Sequence, residues 1–249
     1  MSGRLILVTF VLVSAPSSAC KSRQESPVTN PDVPVLLFNG NGTSANDVTA
    51  VETVLGEGHF EYSTVDSSQL NAMSKSQLEA HRLLIVPGGN FETIGKSLSP
   101  ATAAKIHDSV HGGLSYLGIC AGAFLAGSTD NGLNLTSGVR FHFYADEDRG
   151  IRKAALPIAG AGTPALDQYW EDGPQLTGWG AAVGRYPDGT PAIVEGTFGT
   201  GWVILSGVHP EAPASWRRWM TFKTPASIDN AYAVTLVRAA LDKTWLPHD

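Results

Sequence analysis

The sequence lacks any long run of lysine or arginine residues. Its 249 residues include 17 Lys or Arg against 23 Asp or Glu, which gives a net charge of −6. A protein that binds nucleic acid needs a basic surface to neutralise the phosphate backbone. We therefore expect no nucleic-acid partner.

The start of the chain lacks an apolar stretch of bilayer length. The stretch at 5–15 is shorter than the about 20 apolar residues of a transmembrane helix. Arg4 precedes it, and small residues follow it at 17–19. This order is typical of an export signal, so residues 1–20 are predicted to be a signal peptide and the protein to lie in the cell envelope.

Cysteine is scarce, since the chain contains only Cys20 and Cys120. Cys20 resembles the cysteine of a bacterial lipobox, which receives lipid, although Ser17 stands where that pattern usually has leucine. We expect a lipid anchor at Cys20 and a periplasmic or membrane-anchored lipoprotein. A plain signal peptide with an incidental Cys20 is the alternative. Residues 21–32, rich in Ser, Pro and Asn, are predicted to be a flexible tether.

Apolar runs alternate with helical patterns in the first half of the remaining chain. Strands are predicted at 33–38, 83–86 and 114–119, with helices starting at Ser44 and at Ser99, where proline follows the N-cap. Continuous apolar strands that alternate with helices indicate a parallel sheet covered on both faces.

The second half has fewer helical patterns between its strands. Strand-like pieces at 139–144, 192–194 and 202–205 indicate an antiparallel extension at one edge of the sheet. A final amphipathic helix is predicted at about 227–241. The fold class is therefore α/β.

The most specific motif is Gly118-Ile119-Cys120-Ala121-Gly122, a strand-to-helix turn of the nucleophile-elbow type. Its glycines are needed because a side chain at either position would clash with the neighbouring strand or helix. The turn places Cys120 at a helix N-terminus, which favours the thiolate form. A thiol without a disulfide partner is either buried and inert or kept for its reactivity, and this setting favours reactivity.

A nucleophilic thiolate needs a proton carrier and a site for the oxyanion. His209, after the predicted strand at 202–205, is the candidate base, and Glu211 can orient its ring. A surface His-Pro-Glu turn is the alternative. Gly88 and Gly89 follow the strand at 83–86 and could offer backbone N–H groups to an oxyanion, together with the amide of Ala121.

These motifs (VPGG, GICAG and GVHPE) together resemble the class I glutamine-amidotransferase superfamily. The stretches FNGNGTS and YLGICAGA are similar to the N-terminal domain of fungal biotin–protein ligases and to its stand-alone bacterial relatives. The resemblance implies a flavodoxin-like three-layer sandwich with a mainly parallel sheet and an antiparallel edge extension, over residues 33–249. It also implies Cys120 as nucleophile, His209 as base, Glu211 as orienting carboxylate, and oxyanion donors at Gly89 and Ala121.

The resemblance does not imply biotin ligation, because the ligase catalytic domain lies elsewhere in those longer proteins. Export also makes ammonia delivery to a cytosolic synthase implausible. We expect a cysteine-dependent hydrolase or amidotransferase-like protein that acts on an amide-type carbon–nitrogen bond of a small molecule or peptide. A non-catalytic ligand- or partner-binding domain is the alternative. No cofactor and no metal are expected, since the seven histidines are scattered, and the oligomeric state stays open.

Two aromatic segments stand outside these motifs. Residues 169–174 (YWEDGP) are predicted to form a loop that either shapes a substrate pocket or is simply solvated. Residues 216–219 (WRRW) fit a substrate lid, a membrane contact, or aromatic rings packed under arginine stems.

Overall fold

The structure, a computed structural model, describes residues 33–160 and 165–248. The predicted signal peptide, the tether and Cys20 lie outside the described residues. Within the described ranges, no helix has both the length and the apolar character needed to cross a bilayer.

The described residues form strands and short helices that alternate through the first half. In chain order these are β1 (Val35–Phe38), α1 (Ala45–Glu57), β2 (Tyr62–Val65), α2 (Ser67–Ala72), α3 (Lys75–Leu78), β3 (Leu83–Val86), α4 (Phe91–Ser97), α5 (Pro100–His111), β4 (Ser115–Ile119), α6 (Ala121–Ala126), β5 (His142–Phe143), β6 (Lys153–Ile158), β7 (Leu166–Glu171), β8 (Pro174–Gln175), β9 (Ala181–Arg185), β10 (Pro191–Phe198), β11 (Gly201–Ser206) and α7 (Ala226–Asp242).

The central sheet has seven strands in the order β2-β1-β3-β4-β11-β10-β9. Its first five strands run parallel to one another, and β10 and β9 add an antiparallel extension at one edge. The predicted fold class is therefore confirmed: the fold is α/β, with a mainly parallel sheet and an antiparallel edge extension.

Two apolar cores lie on opposite faces of this sheet. Along β1, Leu37 packs into the core that contains Val51 of α1, and Leu36 packs into the core that contains Ile94 of α4. Because helices cover both faces, successive strand residues are all buried, which explains why the strands read as continuous apolar runs.

Most predicted elements of the first half are confirmed. Ser44 caps α1, and Ser99 caps α5 with Pro100 as its first residue. The predicted strand at 139–144 is mostly wrong, because only β5 pairs there, through two residues with β8. The predicted loop at 169–174 is also wrong in part: its first three residues end β7, which pairs with β6.

The sequence did not predict the β7 strand, because its residues do not form an apolar pattern. Asp167 and Gln168 are buried in it beside the fully buried Trp170. Polar residues whose side chains are buried by the tertiary fold look like loop residues in the sequence.

The turn between β4 and α6 has the strained backbone expected of an elbow. Cys120 has φ 50° and ψ −104°, in a region that non-glycine residues rarely adopt. Its N–H donates to the Ser206 carbonyl of β11 at 2.8 Å, which fixes the turn to the neighbouring strand.

The predicted need for glycine on both sides of Cys120 is confirmed. A Cβ on Gly118 would lie 2.5 Å from the Gly122 carbonyl oxygen, and a Cβ on Gly122 would lie 2.0 Å from the Val86 carbonyl oxygen. Both obstacles are backbone atoms, so α6 can pack this closely against β3 and β4 only if these positions have no side chain.

Replacing Gly122 by alanine should therefore lower the free energy of unfolding by about 1–3 kcal/mol, because the backbone must shift to admit the methyl group. Urea denaturation followed by circular dichroism measures the change. Gly56→Ala in α1 is the matched control: no atom lies within 4 Å of its added Cβ, and alanine favours a helix by up to about 1 kcal/mol. Equal destabilisation by both substitutions would contradict the packing argument.

Candidate active site

Four segments meet at the carboxyl edge of the parallel strands. Cys120 follows β4, His209 follows β11, Gly88 follows β3, and Asp47 lies in the first turn of α1, beyond β1. These strands are neighbours in the sheet, so their ends converge on one rim. Sites in open α/β sheets commonly form there.

Cys120 lies at the bottom of a cavity of about 700 Å³. Its side chain is largely buried, with 7% exposure, yet it lines the cavity together with His209. The sulfur lies 3.5 Å from the Glu171 carbonyl oxygen, within hydrogen-bonding distance for a thiol. The thiol is thus accessible from the cavity and is held by the end of β7.

His209 is fixed from both its backbone and its ring. Its N–H donates to the Tyr169 carbonyl at 2.8 Å. Its Nδ1 lies 2.8 Å from Glu211 Oε1, and both side chains are buried. The structure therefore brings the predicted base and its predicted orienting carboxylate into direct contact.

A second carboxylate faces the same ring nitrogen. Asp47 Oδ1 lies 3.3 Å from His209 Nδ1, and Asp47 is itself buried. Nδ1 carries a single hydrogen, and the shorter contact directs it to Glu211, so Asp47 acts on the ring mainly through its charge.

Gly88 makes room for this second carboxylate. A Cβ on Gly88 would lie 2.0 Å from Asp47 Oδ1 and 3.0 Å from His209 Cε1. Any other residue at this position would push Asp47 away from the imidazole.

Asp47 is the candidate site residue that the sequence pattern does not reveal. Residues 44–47 indicate only the start of α1, and Asp47 N–H does contact the Ser44 side chain at 3.3 Å. The available signal is an acidic residue in the first helical turn directly after a strand and a glycine-rich loop, where the strand ends meet.

The ionisable groups of this cluster shift one another. Burial would lower the pKa of His209, but the charges of Glu211 and Cys120 and the Asp47 carboxylate raise this pKa well above its ordinary value. Burial would raise the pKa of Asp47, yet its interaction with His209 brings that pKa below its ordinary value. Burial raises the pKa of Glu211, although His209 acts in the opposite direction.

The other ring nitrogen is available for chemistry. Among the described residues, His209 Nε2 is buried and has no hydrogen-bond partner. The Cys120 thiol is close enough to contribute to the raised pKa of His209, but its sulfur contacts the Glu171 carbonyl. Nε2 is therefore the ring nitrogen that could exchange a proton with the thiol.

Gly89 and Ala121, two of the predicted oxyanion donors, line the cavity beside Cys120. Within the described residues, neither Gly89 nor Ala121 donates its N–H to a carbonyl in the turns and loops. Gly88, the third, is buried instead, and its carbonyl accepts the Ser44 N–H at 3.0 Å.

Asp47, His209 and Glu211 also have the composition of a metal site, with ligand atoms within 4.8 Å of one another. Two ligands of a tetrahedral zinc ion lie about 3.3 Å apart. The 2.8 Å contact between His209 Nδ1 and Glu211 is shorter and has the length of a hydrogen bond. This geometry fits a proton rather than a metal ion between them.

The cavity above the cluster combines aromatic and charged side chains. Both aromatic segments noted in the sequence contribute to it. The residues that line it are Ser44, Asn46, Asp47, Gly89, Asn90, Phe91, Cys120, Ala121, Phe124, Phe143, Lys153, Tyr169, Glu171, Asp172, His209, Ser215, Trp216, Arg218, Trp219 and Met220.

Asp47→Asn should lower the pKa of His209, because it removes one of the two carboxylates near the imidazole. An NMR titration of the ring measures this pKa directly. In the parent protein the raised folded-state pKa stabilises the fold most below about pH 6.5, and this stabilisation is lost as the pH rises through the folded-state value. Over the same rise in pH, the free energy of unfolding of the Asp47→Asn variant should fall by less.

Asp130→Asn, at an exposed position, is the matched control and should leave the His209 titration unchanged. An unchanged pKa of His209 in Asp47→Asn would show that Asp47 does not act on the imidazole.

The comparisons with known proteins agree with this architecture. Residues 33–140 match the family described as "Biotin-protein ligase, N terminal". This range contains Asp47 and Cys120, whereas His209 and Glu211 lie beyond it. A biotin–protein ligase of Schizosaccharomyces pombe is 26% identical over 220 residues, which cover 72% of this chain and 33% of the ligase. The chain thus spans about a third of that relative's length.

Two solved structures show the same fold. A glutamine amidotransferase superposes with a TM-score of 0.56 at 21% identity, covering 85% of this chain and 100% of that one. PurLQS from Thermotoga maritima gives a TM-score of 0.51 at 17% identity, covering 83% of this chain and 99% of that one. This protein therefore has a glutamine-amidotransferase-like fold that is related to the N-terminal domain of biotin–protein ligases.

Proposed function

We propose that this protein is a cysteine-dependent hydrolase or amidotransferase-like enzyme that acts on an amide-type carbon–nitrogen bond. The observation that carries the proposal is the buried Asp47–His209–Glu211 cluster, whose ring faces the same cavity as Cys120. A buried imidazole with two carboxylates on one side favours imidazolium, and imidazolium favours a thiolate beside it.

In the proposed reaction the Cys120 thiolate attacks the amide carbon and forms a carbon–sulfur bond. The electron pair of the carbonyl moves to oxygen, which the amides of Gly89 and Ala121 can stabilise. His209 then gives its Nε2 proton to the nitrogen as the carbon–nitrogen bond breaks, and an amine or ammonia leaves.

The resulting thioester is resolved by water or by another acceptor. His209, now neutral, takes a proton from the attacking water, and the carbon–sulfur bond breaks to release a carboxylic acid and the thiolate. Glu211 holds the ring through its 2.8 Å contact, and Asp47 helps to stabilise each imidazolium stage.

The proposal places this activity in the cell envelope. The proposal includes export directed by residues 1–20 and lipid attachment at Cys20. Both segments lie outside the described residues. We expect its substrate to be a small-molecule or peptide amide, and we expect the protein to have no nucleic-acid partner.

A second candidate function is ligand binding without turnover. One observation favours it: the Cys120 sulfur contacts the Glu171 carbonyl, while His209 Nε2 has no partner within the described part of the chain. In a binding domain this arrangement would be permanent, and a Cys120→Ser substitution would leave ligand affinity unchanged.

Iodoacetamide should alkylate Cys120 in the folded, full-length protein at least about tenfold faster than a model thiol at neutral pH. The reason is the thiolate that His209 stabilises. Site-resolved mass spectrometry measures the rate at Cys120 separately from Cys20. The rate should depend less on pH than that of the model thiol, because the raised pKa of His209 favours the imidazolium beside Cys120.

His209→Gln should remove most of the rate advantage of Cys120 over the model thiol. His142→Gln is the matched control and should keep this advantage, because His142 is exposed and lies outside the cavity. A Cys120 that reacts no faster in the folded than in the urea-denatured protein would sink the proposal.

A further inference from the structure

One tryptophan at the cavity mouth has a conformation that the fold alone does not explain. Trp219 has φ 68°, in the left-handed region, and its side chain is fully exposed to solvent. A bulky residue is strained in this region, and an exposed indole gains nothing from the hydrophobic effect. Strained residues of this kind cluster at ligand-binding positions.

The segment that carries Trp219 is anchored from beneath. The Arg217 side chain, buried and directed away from solvent, lies 3.2 Å from Asp229 of α7. Asp167 of β7 accepts the Thr224 N–H at 2.8 Å. These buried contacts on both sides hold the intervening residues, so the tryptophan is presented on a preformed wall.

Three phenylalanine rings form a second aromatic wall of the same cavity. Phe124 stacks with Phe91 at 4.7 Å between ring centroids and meets Phe143 at 4.8 Å. Phe143 is 41% exposed and lines the same cavity as Trp219. Together, Phe91, Phe124, Phe143, Trp216 and Trp219 give the cavity that contains Cys120 extensive apolar surface.

Polar groups lie between these apolar walls. Asn46 and Ser215 are exposed at the cavity and offer hydrogen-bond donors and acceptors. Lys153 and Glu171 pair with each other at 2.8 Å, so their charges are largely matched. Hydrogen-bonding groups beside apolar surfaces suit the amide groups of a peptide.

The size of the cavity points in the same direction. About 700 Å³ corresponds to a drug-sized ligand rather than to a single small amide. Given the proposed function, on which this inference rests, we infer that the substrate is an extended, peptide-like amide. An apolar or aromatic side group next to the scissile bond packs against the aromatic residues of this cavity, Trp219 among them.

A membrane contact is the other use that Trp219 would suit. The residues around it favour a ligand. Among the described residues that line the cavity, the Lys and Arg side chains are those of Lys153 and Arg218, and Lys153 is paired with Glu171. Binding to an anionic membrane surface needs several clustered cations.

The experiment compares two reagents that alkylate Cys120: chloroacetamide, and N-chloroacetyl-phenylalanine amide. In each, the thiolate displaces chloride and forms a thioether, so the two differ only in the attached group. The preference is the ratio of second-order rates for the larger over the smaller reagent, divided by the same ratio for glutathione. We expect a preference of at least about tenfold, because the phenyl ring becomes buried.

Trp219→Ser should reduce this preference at least threefold, and Trp245→Ser should leave it unchanged. Trp245 is the matched control, since it is 57% exposed and lies outside the cavity. A preference near one in the parent protein, or equal effects of both substitutions, would overturn the inferred substrate class. The inference is also wrong if anionic phosphatidylglycerol vesicles shift the Trp219 fluorescence while the reagents show no preference.

The two failures remain distinguishable. If both reagents react no faster than with denatured protein, the proposed function is wrong and this inference falls with it. If both react fast but without preference, only the substrate class is wrong.

Discussion

The site depends on one buried contact, in which the Nδ1 edge of His209 faces the carboxylates of Glu211 and Asp47. Burying three ionisable groups is unfavourable unless each one has a partner. The fold meets this condition by bringing the ends of β11 and β3 and the first turn of α1 to one point. This arrangement requires glycine at position 88, because any side chain there would occupy the position of the Asp47 carboxylate.

The sheet then places the thiol opposite this cluster. The β4 and β11 strands are parallel neighbours, and Cys120 N–H is bonded to the last residue of β11. The candidate nucleophile and the candidate base therefore follow adjacent strands on a common rigid support. The strained backbone of Cys120 is maintained by the close packing of Gly118 and Gly122 against backbone atoms.

The reactive groups and the cavity wall have different structural origins. Cys120 and His209 follow central strands of the parallel sheet, whereas much of the wall comes from β7 and the segment at 213–224. Sites on rigid elements fix chemistry, and surrounding loops commonly determine what can bind. A fold shared with a glutamine amidotransferase therefore does not determine what binds in this cavity, which depends on the residues of its own wall.

The sequence alone determined the features whose cause is local. Continuous apolar strands, the Ser44 and Ser99 caps and the glycines of the elbow follow from backbone geometry and neighbouring residues, and the structure has all of them. Only the tertiary structure decided which distant groups meet. The sequence indicated only a helix start at Asp47, because the pattern of residues does not show that this carboxylate lies beside His209. It indicated a loop at part of β7, because the burial of polar strand residues produces no apolar periodicity.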